Sequence, residues 1–571
     1  MPSTTPNENS ERPTRKRKTF RAYLLVASLA AAVRLLYLHG WLGSPFRYYH
    51  TLFGLDMREL LVKGVTFQHG EAPFSAHAAF LALIHSISGD ALFVLLNATT
   101  QMILGIATAL MTVYIFRRVF GGVRAACCAG ILCALYLPMT AYEAHILKAT
   151  LFVFLPTASL ALLLAARRRA FRGAGGGVRA FAAGAVAATP FLVRTSGLAW
   201  LAVFHLWLIL YFLRKRAKKD AWKILALPAA GTVAVVAAVM AFNASKGFDN
   251  EYLVNPNYKY ILGAGALPDS ATLSPGNETI AANTVGKTDI ATRAVWYLEK
   301  TVSIFVGRTV PNNINIDFIR SKLPAARLMI TPAFLVPMAA GGLLALLAAG
   351  LARRRASILF LYLAAFAIPM TLFFPLERYR LTLTPVFCVA AAWWGRSLVA
   401  AWRQDEAKNP KQKNAAATWR LLLPVFGCAA SLAATLLTPP VFRNSDEQAY
   451  GIAACTFPDM LMRKGHFAEA AKILFKRHAT APENSIISLN LASALLGTGR
   501  IDDAENLLHS LNDIENPPLE GRRQYEMGEA AFIKGDLERA AMYYAKCLEL
   551  PVATRRKKMA LSRLRMCHRK H

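Results

Sequence analysis

Acidic residues are scarce in this chain: 34 Asp and Glu stand against 66 Lys and Arg over 571 residues, a formal net charge of +32. Such an excess invites a nucleic-acid partner, but much of it falls in short connections between apolar runs, on alternate sides, which is the pattern of a membrane protein and not of a nucleic-acid binder. Cysteine is also sparse. The eight cysteines follow no metal-ligand spacing, and five of them (Cys127, Cys128, Cys133, Cys388, Cys428) lie inside apolar runs, so neither a disulfide framework nor a zinc site is indicated. The glycine stretch Gly173 to Gly177 has no preceding strand and no following lysine–serine pair, so it is expected to be linker rather than a phosphate-cradling loop.

What the chain has in abundance is apolar length. It is 55% hydrophobic, its mean hydropathy is +0.33, and its runs of about 16 to 24 residues match the bilayer. Spans are expected near 22–41, 92–115, 124–141, 149–166, 178–193, 197–213, 223–243, 329–351, 356–375, 381–401 and 420–438. The expected fold is therefore an all-α polytopic membrane protein with about eleven transmembrane helices. Basic clusters follow even numbers of spans: Arg12 to Arg21, Arg117/Arg118/Arg124, Arg167–Arg169 with Arg172, Arg214 to Lys223, Arg353–Arg355 and Arg403 to Arg420. The positive-inside rule then puts the N-terminus in the cytoplasm and the C-terminal domain outside the inner or plasma membrane, in the periplasm for a Gram-negative host.

Residues 1–21 are expected to be a disordered basic cytoplasmic tail, and 22–438 the membrane domain, with long outer loops at 42–91 and 244–328. The first loop holds Asp56 and an expected amphipathic surface helix, Ala76 to Ile87. From 439 to 571 the composition becomes that of a soluble helical domain. Gly465 with Ala470, Gly499 with Ala504 and Gly535 with Ala540 recur at spacings of 34 and 36 residues, close to the period of the tetratricopeptide helix–turn–helix. A repeat tail of this type has no chemistry of its own and is expected to hold a protein or glycan-assembly partner.

The chemistry-bearing residues fall in outer connections. Asp56 is either a general base for a hydroxyl or an ordinary loop aspartate. Glu143, in the short turn Ala141-Tyr142-Glu143-Ala144-His145, either orients an acceptor, helps hold a divalent cation, or is a plain interfacial acid. Lys148 enters the fourth span from the outer side, where positive charge is disfavoured, a placement that either phosphate pairing or snorkelling to the headgroups would offset, and Arg194 sits in another short outer turn. Arg378 and Arg380 offer forks for phosphate oxygens, with pairing to Glu377 or binding to lipid headgroups as the alternatives. His77, with His50, His69 and His85 in the first loop, is a candidate substrate contact. Arg34, inside a span at a cost of about 2.5–3.5 kcal/mol on insertion scales, is expected to reach a carboxylate or the interface.

Arg34-Leu35-Leu36-Tyr37-Leu38 closing the first span, Asp56 in the first outer loop, Phe80-Leu81-Ala82-Leu83-Ile84, and Glu377-Arg378-Tyr379-Arg380-Leu381 leading to Pro385 together resemble the protein O-mannosyltransferase-like branch of the GT-C glycosyltransferases. The resemblance covers roughly 22–400. Ser75-Ala76-His77-Ala78 replaces the family's Pro-Leu-Tyr-Pro-like segment, and Met57 stands where many relatives have a second acid. The resemblance implies an inverting glycosyltransferase that moves a sugar from a polyprenyl-phosphate lipid to an acceptor hydroxyl, on a protein or a glycan, at the outer face. It implies Asp56 as base, with Lys148, Arg378 and Arg380 holding the phosphate, and it leaves open a divalent cation, with no other cofactor. An O-antigen ligase or polymerase is an alternative, although the 244–328 loop has Arg293, Arg308, Arg320 and Arg327 and no histidine. A transporter or flippase with a repeat domain is another, although no two-fold pattern of broken helices is apparent.

Overall fold

In a computed structural model, the structure describes residues 8–51, 56–170, 177–213, 221–248, 290–309, 314–350, 356–373, 375–405, 415–437, 456–511, 514, 516–552 and 554–569. It divides into two compact units, one of Met1–Gly43 with Phe53–Glu447, the other of Ser44–Leu52 with Gln448–His571. Among the described residues there is no β-strand, only one isolated bridge between Tyr136 and Ile330.

Every expected span coincides with an apolar helix of the first unit. Five are long and apolar enough to cross a bilayer outright: Arg17–Gly43, Ala76–Val119, Ala149–Ala166, Leu225–Ser245 and Glu377–Ala400. Shorter apolar helices include Val123–Leu135, Gly177–Val193, Gly197–Leu213, Pro332–Ala348, Ser357–Leu372 and Leu422–Leu437. The chain is a multi-pass membrane protein.

Four local departures from the expected pattern shape this unit. The first helix begins at Glu8, inside the tail expected to be disordered; its Lys and Arg residues are good helix formers that extend an already nucleated span. The segment after it does not stay with the first loop, because Ser44–Leu52 belongs to the C-terminal unit. Asp56 opens a helix, Asp56–Gln68, in place of the expected loop, burying Met57, Leu60 and Gly64 along one face. The expected surface helix is continuous with the second span in Ala76–Val119, bent where Gly89 takes φ 58°.

The third span is broken at Tyr136 into Val123–Leu135 and Leu137–Glu143. Ile330 repairs the break: its N–H donates to the Leu135 carbonyl and its carbonyl accepts from Leu137, both at 2.8 Å. Backbone groups freed inside a membrane helix need such partners. The expectation that the second long loop folds back on the first falls largely on 249–289, outside the described residues. At its near edge, the Phe74 N–H donates to Asn243 Oδ1 at 3.0 Å, and Phe67, Phe74 and Phe242 cluster with ring centroids 5.9 Å apart.

The second unit is a series of helix pairs: 456–463 with Phe467–His478, Ser485–Gly497 with Ile501–Ser510, and Pro517–Lys534 with Leu537–Glu549, closed by Thr554–Arg569. Gly465, Gly499 and Gly535 all sit between paired helices at φ 83°, 79° and 84°. That conformation is open to glycine at little cost and strained for other residues. Ala470, Ala504 and Ala540, five residues on in each case, are wholly buried, so the small side chain lets the paired helices meet. Pro45–Thr51 is folded into this unit: the Phe46 ring lies 5.3 Å from Phe457 and Lys464 sits over Tyr48.

Candidate active site

Connections that follow odd-numbered spans supply one cluster of charged side chains. Asp56 follows the first expected span, Lys148 the third, Arg194 the fifth and Arg378 the ninth. Their meeting requires that these ends lie on one side, as the span count expects.

Each side chain is held by local backbone structure. Asp56 is the first residue of its helix, where the helix dipole favours an acid. Arg194 sits in a three-residue turn closed by the Gly197 N–H donating to the Arg194 carbonyl at 2.8 Å. Lys148 ends a turn braced by Gln101, whose Nε2 donates to the His145 carbonyl at 2.8 Å. Arg378 and Tyr379 belong to the one-turn helix Glu377–Arg380, pinned by Thr382, whose hydroxyl donates to the Tyr379 carbonyl at 2.7 Å.

Arg378 Nη1 donates to Asp56 Oδ2. The Asp56 side chain remains 45% exposed and Arg378 17% exposed, so the pair is reachable from outside. Arg378 Nη2 also donates to the Tyr379 hydroxyl at 3.0 Å, and Arg194 Nη2 donates to the same oxygen. Both guanidiniums lie over the Tyr379 ring, at 3.9 Å for Arg194 and 5.0 Å for Arg378 from its centroid. Burial pulls the Lys148 ammonium down to about 8, with the charges of Arg194 and Lys63 adding to the shift and Asp56 opposing it. Burial likewise lowers Arg194, and the neighbouring Arg378 charge adds to it. His77 is bonded to the Leu147 backbone beside Lys148. Its Nε2 is buried without a hydrogen-bond partner, as are Arg378 Nε and the Tyr142 hydroxyl.

Three cations, Lys148, Arg194 and Arg378, thus lie around the Asp56 carboxylate, with Arg378 Nε and the Tyr142 hydroxyl as unused donors. Such a cluster suits an oxyanion carrying one or two charges, and guanidinium forks suit phosphate oxygens. Among the described residues no cluster of three or more His, Cys, Asp or Glu is placed to hold a metal ion.

Two expected site residues are engaged with other groups of the protein. Glu143 is 1% exposed and both its oxygens accept from Arg34, at 2.7 and 2.8 Å. Arg34 also donates to the Ala134 carbonyl at 3.2 Å. This ion pair occupies both oxygens of a carboxylate that is shut away from solvent. Gly105 makes the room, since a Cβ there would stand 1.9 Å from Glu143 Oε1. Arg380 donates through both terminal nitrogens, to Glu377 and to the carbonyls of Val306 and Arg308, tying that connection down. Glu377 in turn accepts from the Tyr136 hydroxyl at 3.4 Å. Of the other first-loop candidates, Glu59 pairs with Lys63 on an exposed surface and His85 bonds Gln68 and Asp90.

Sequence reasoning missed Tyr379 and Tyr142. The signal for Tyr379 was its place between two arginines; nothing in the sequence marked Tyr142 beyond its neighbour Glu143.

A family model described as tetratricopeptide repeat matches residues 461–518. The C-terminal unit carries tetratricopeptide repeats. No curated protein matches the chain. Among solved structures, the chain is similar to the Archaeoglobus fulgidus oligosaccharyltransferase, solved tethered to an acceptor peptide containing the NVT sequon, at 15% identity and a TM-score of 0.42. The match covers 75% of this chain and 55% of that one, so the chain spans about half the length of the structure it matches.

Proposed function

We propose that this protein is a membrane glycosyltransferase that moves a sugar from a polyprenyl-phosphate lipid to an acceptor hydroxyl at the extracytoplasmic face. The observation that carries the reading is the Asp56–Arg378 pair, left partly open and flanked by Arg194 and Lys148. A phosphate monoester or diester placed there meets three cations and displaces Asp56 from Arg378. The carboxylate released is then within reach of an incoming hydroxyl.

The acceptor oxygen forms a bond to the anomeric carbon while the carbon–oxygen bond to phosphate breaks. The phosphate leaves with the electron pair, and Asp56 takes the hydroxyl proton. In-line attack of this kind inverts the anomeric centre. Arg378 and Arg194 hold the charge that grows on the departing phosphate, and Lys148 adds a third cation. The prenyl chain stays among the membrane helices, and the repeats engage a protein partner.

Two features support the orientation. Asp56, Lys148, Arg194 and Arg378 all follow odd-numbered spans, the outer side by the positive-inside rule. Pro45–Thr51, just past the first span, folds into the repeat unit, and the ten further expected spans before that unit return the chain to the same side. The test is transfer from a radiolabelled polyprenyl-phosphate sugar to a membrane extract by purified protein. Asp56→Asn is expected to lower it at least a hundredfold, about the loss of a general base, and transfer undiminished in that variant would remove the proposed base.

A further inference from the structure

Tyr379 touches both arginines of the cluster. A phenolic oxygen has two acceptor positions and one hydrogen. Arg194 and Arg378 each donate to that oxygen, so its acceptor positions are filled and its own hydrogen must point elsewhere. No described residue accepts it. The ring is also the shelf on which both guanidiniums rest, and Val306 and Leu376 pack around it with Ala434. Two cations donating to one hydroxyl polarise its O–H bond and make it a stronger donor than an ordinary phenol. The hydrogen is therefore available, beside two guanidiniums, to the phosphate that the proposed function assigns to them.

We propose that Tyr379 is a third direct contact to the anionic ligand, its hydroxyl donating a hydrogen bond to a phosphate oxygen held between Arg194 and Arg378. This rests on the phosphate reading of the cluster and deepens it. The ligand is recognised by two forks and a neutral donor set between them, a pattern that fits the closely spaced oxygens of a single phosphate. In the transfer step Tyr379 exchanges no proton. It tightens its hydrogen bond as charge builds on the leaving group, an effect worth more in the transition state than in the ground state.

The experiment measures farnesyl phosphate binding by the full-length protein in detergent, alongside transfer rate. Tyr379→Phe keeps the ring shelf and removes the hydroxyl; affinity is expected to fall about 10–100-fold, the loss typical of one hydrogen bond to a charged group. A second variant carries 3,5-difluorotyrosine at 379, which donates more strongly and accepts more weakly. Below the pH at which the fluorinated phenol ionises it is expected to bind farnesyl phosphate more tightly than wild type, and above that pH more weakly. Weaker binding throughout would mean that the hydroxyl matters only as an acceptor for the arginines, and would overturn the inference. So would unchanged affinity in both variants while Arg378→Ala abolishes binding, which leaves the phosphate reading standing. If wild type itself fails to bind farnesyl phosphate and Arg378→Ala changes nothing, the phosphate reading falls and the role of Tyr379 falls with it.

Discussion

Two acid–arginine pairs in the membrane unit look alike in sequence and differ in every physical respect. Arg34 and Glu143 are 2% and 1% exposed, matched fork to fork, with the remaining guanidinium nitrogen on backbone carbonyls. Arg378 and Asp56 are 17% and 45% exposed, joined through one nitrogen, next to further cations and with Arg378 Nε idle. The first pair is closed and has nothing left to offer a ligand. The second is incomplete in the way a binding site must be.

The difference is testable at its extremes. Asp56→Asn is expected to lower transfer by about 10²–10⁴-fold, the range for losing a general base, with the thermal midpoint in detergent unchanged. Glu143→Gln is expected to do the reverse. It leaves Arg34 buried without its counter-charge, at a cost of about 3–5 kcal/mol, read as a lower melting temperature and less folded protein, and any molecule that does fold should keep its rate per molecule. The comparison sharpens with paired changes. Replacing Arg34 and Glu143 together by leucine or methionine should recover much of that loss, as buried pairs often tolerate apolar replacement. No apolar pair at Asp56 and Arg378 should restore transfer.

A smaller effect has opposite signs for folding and binding. The Lys148 ammonium is held down to about 8 and the Lys300 ammonium similarly, both by burial first. Between about pH 8 and 10.5 the unfolded chain binds more protons at these positions than the folded one, so their contribution to stability rises with pH through that window. Phosphate needs the charged form of Lys148, so affinity for farnesyl phosphate should fall across the same range. Melting curves and binding isotherms at pH 7.5, 8.5 and 9.5 measure the two trends. Both trends moving together would exclude Lys148 from the anion site. The smallest expected effect lies outside the pairs altogether: Gly535→Ala, at φ 84°, should cost the repeat unit about 1 kcal/mol and leave the membrane unit's transfer rate unchanged.

The span pattern and the repeats were legible because each rests on a periodic, strongly expressed requirement: apolar length for one, glycine and alanine at fixed offsets for the other. Interruptions of those patterns were not. The break at Tyr136 depends on Ile330, almost two hundred residues away, and only the fold brings that partner in. The helix at Asp56 was readable in retrospect from Met57, Leu60 and Gly64 on one face, but its neighbours drew attention to the acid alone. Within the site, sequence could gather Asp56, Lys148, Arg194 and Arg378 by side of the membrane. It could not divide Arg378 from Arg380. The two stand on one helical turn, and what separates them is that Glu377 and two distant carbonyls capture the second. The same holds for Glu143, whose fate is set by a cavity at Gly105 on another helix.

Pro45–Thr51 is built into the repeat unit, with Phe46 and Tyr49 buried there, and five residues later the chain reaches Asp56. Deleting residues 456–571 would not simply subtract an accessory module. It would take Phe457 from Phe46 and Lys464 from Tyr48, so a stretch of chain that lies in sequence between the first span and Asp56 would lose the partners its own unit gives it.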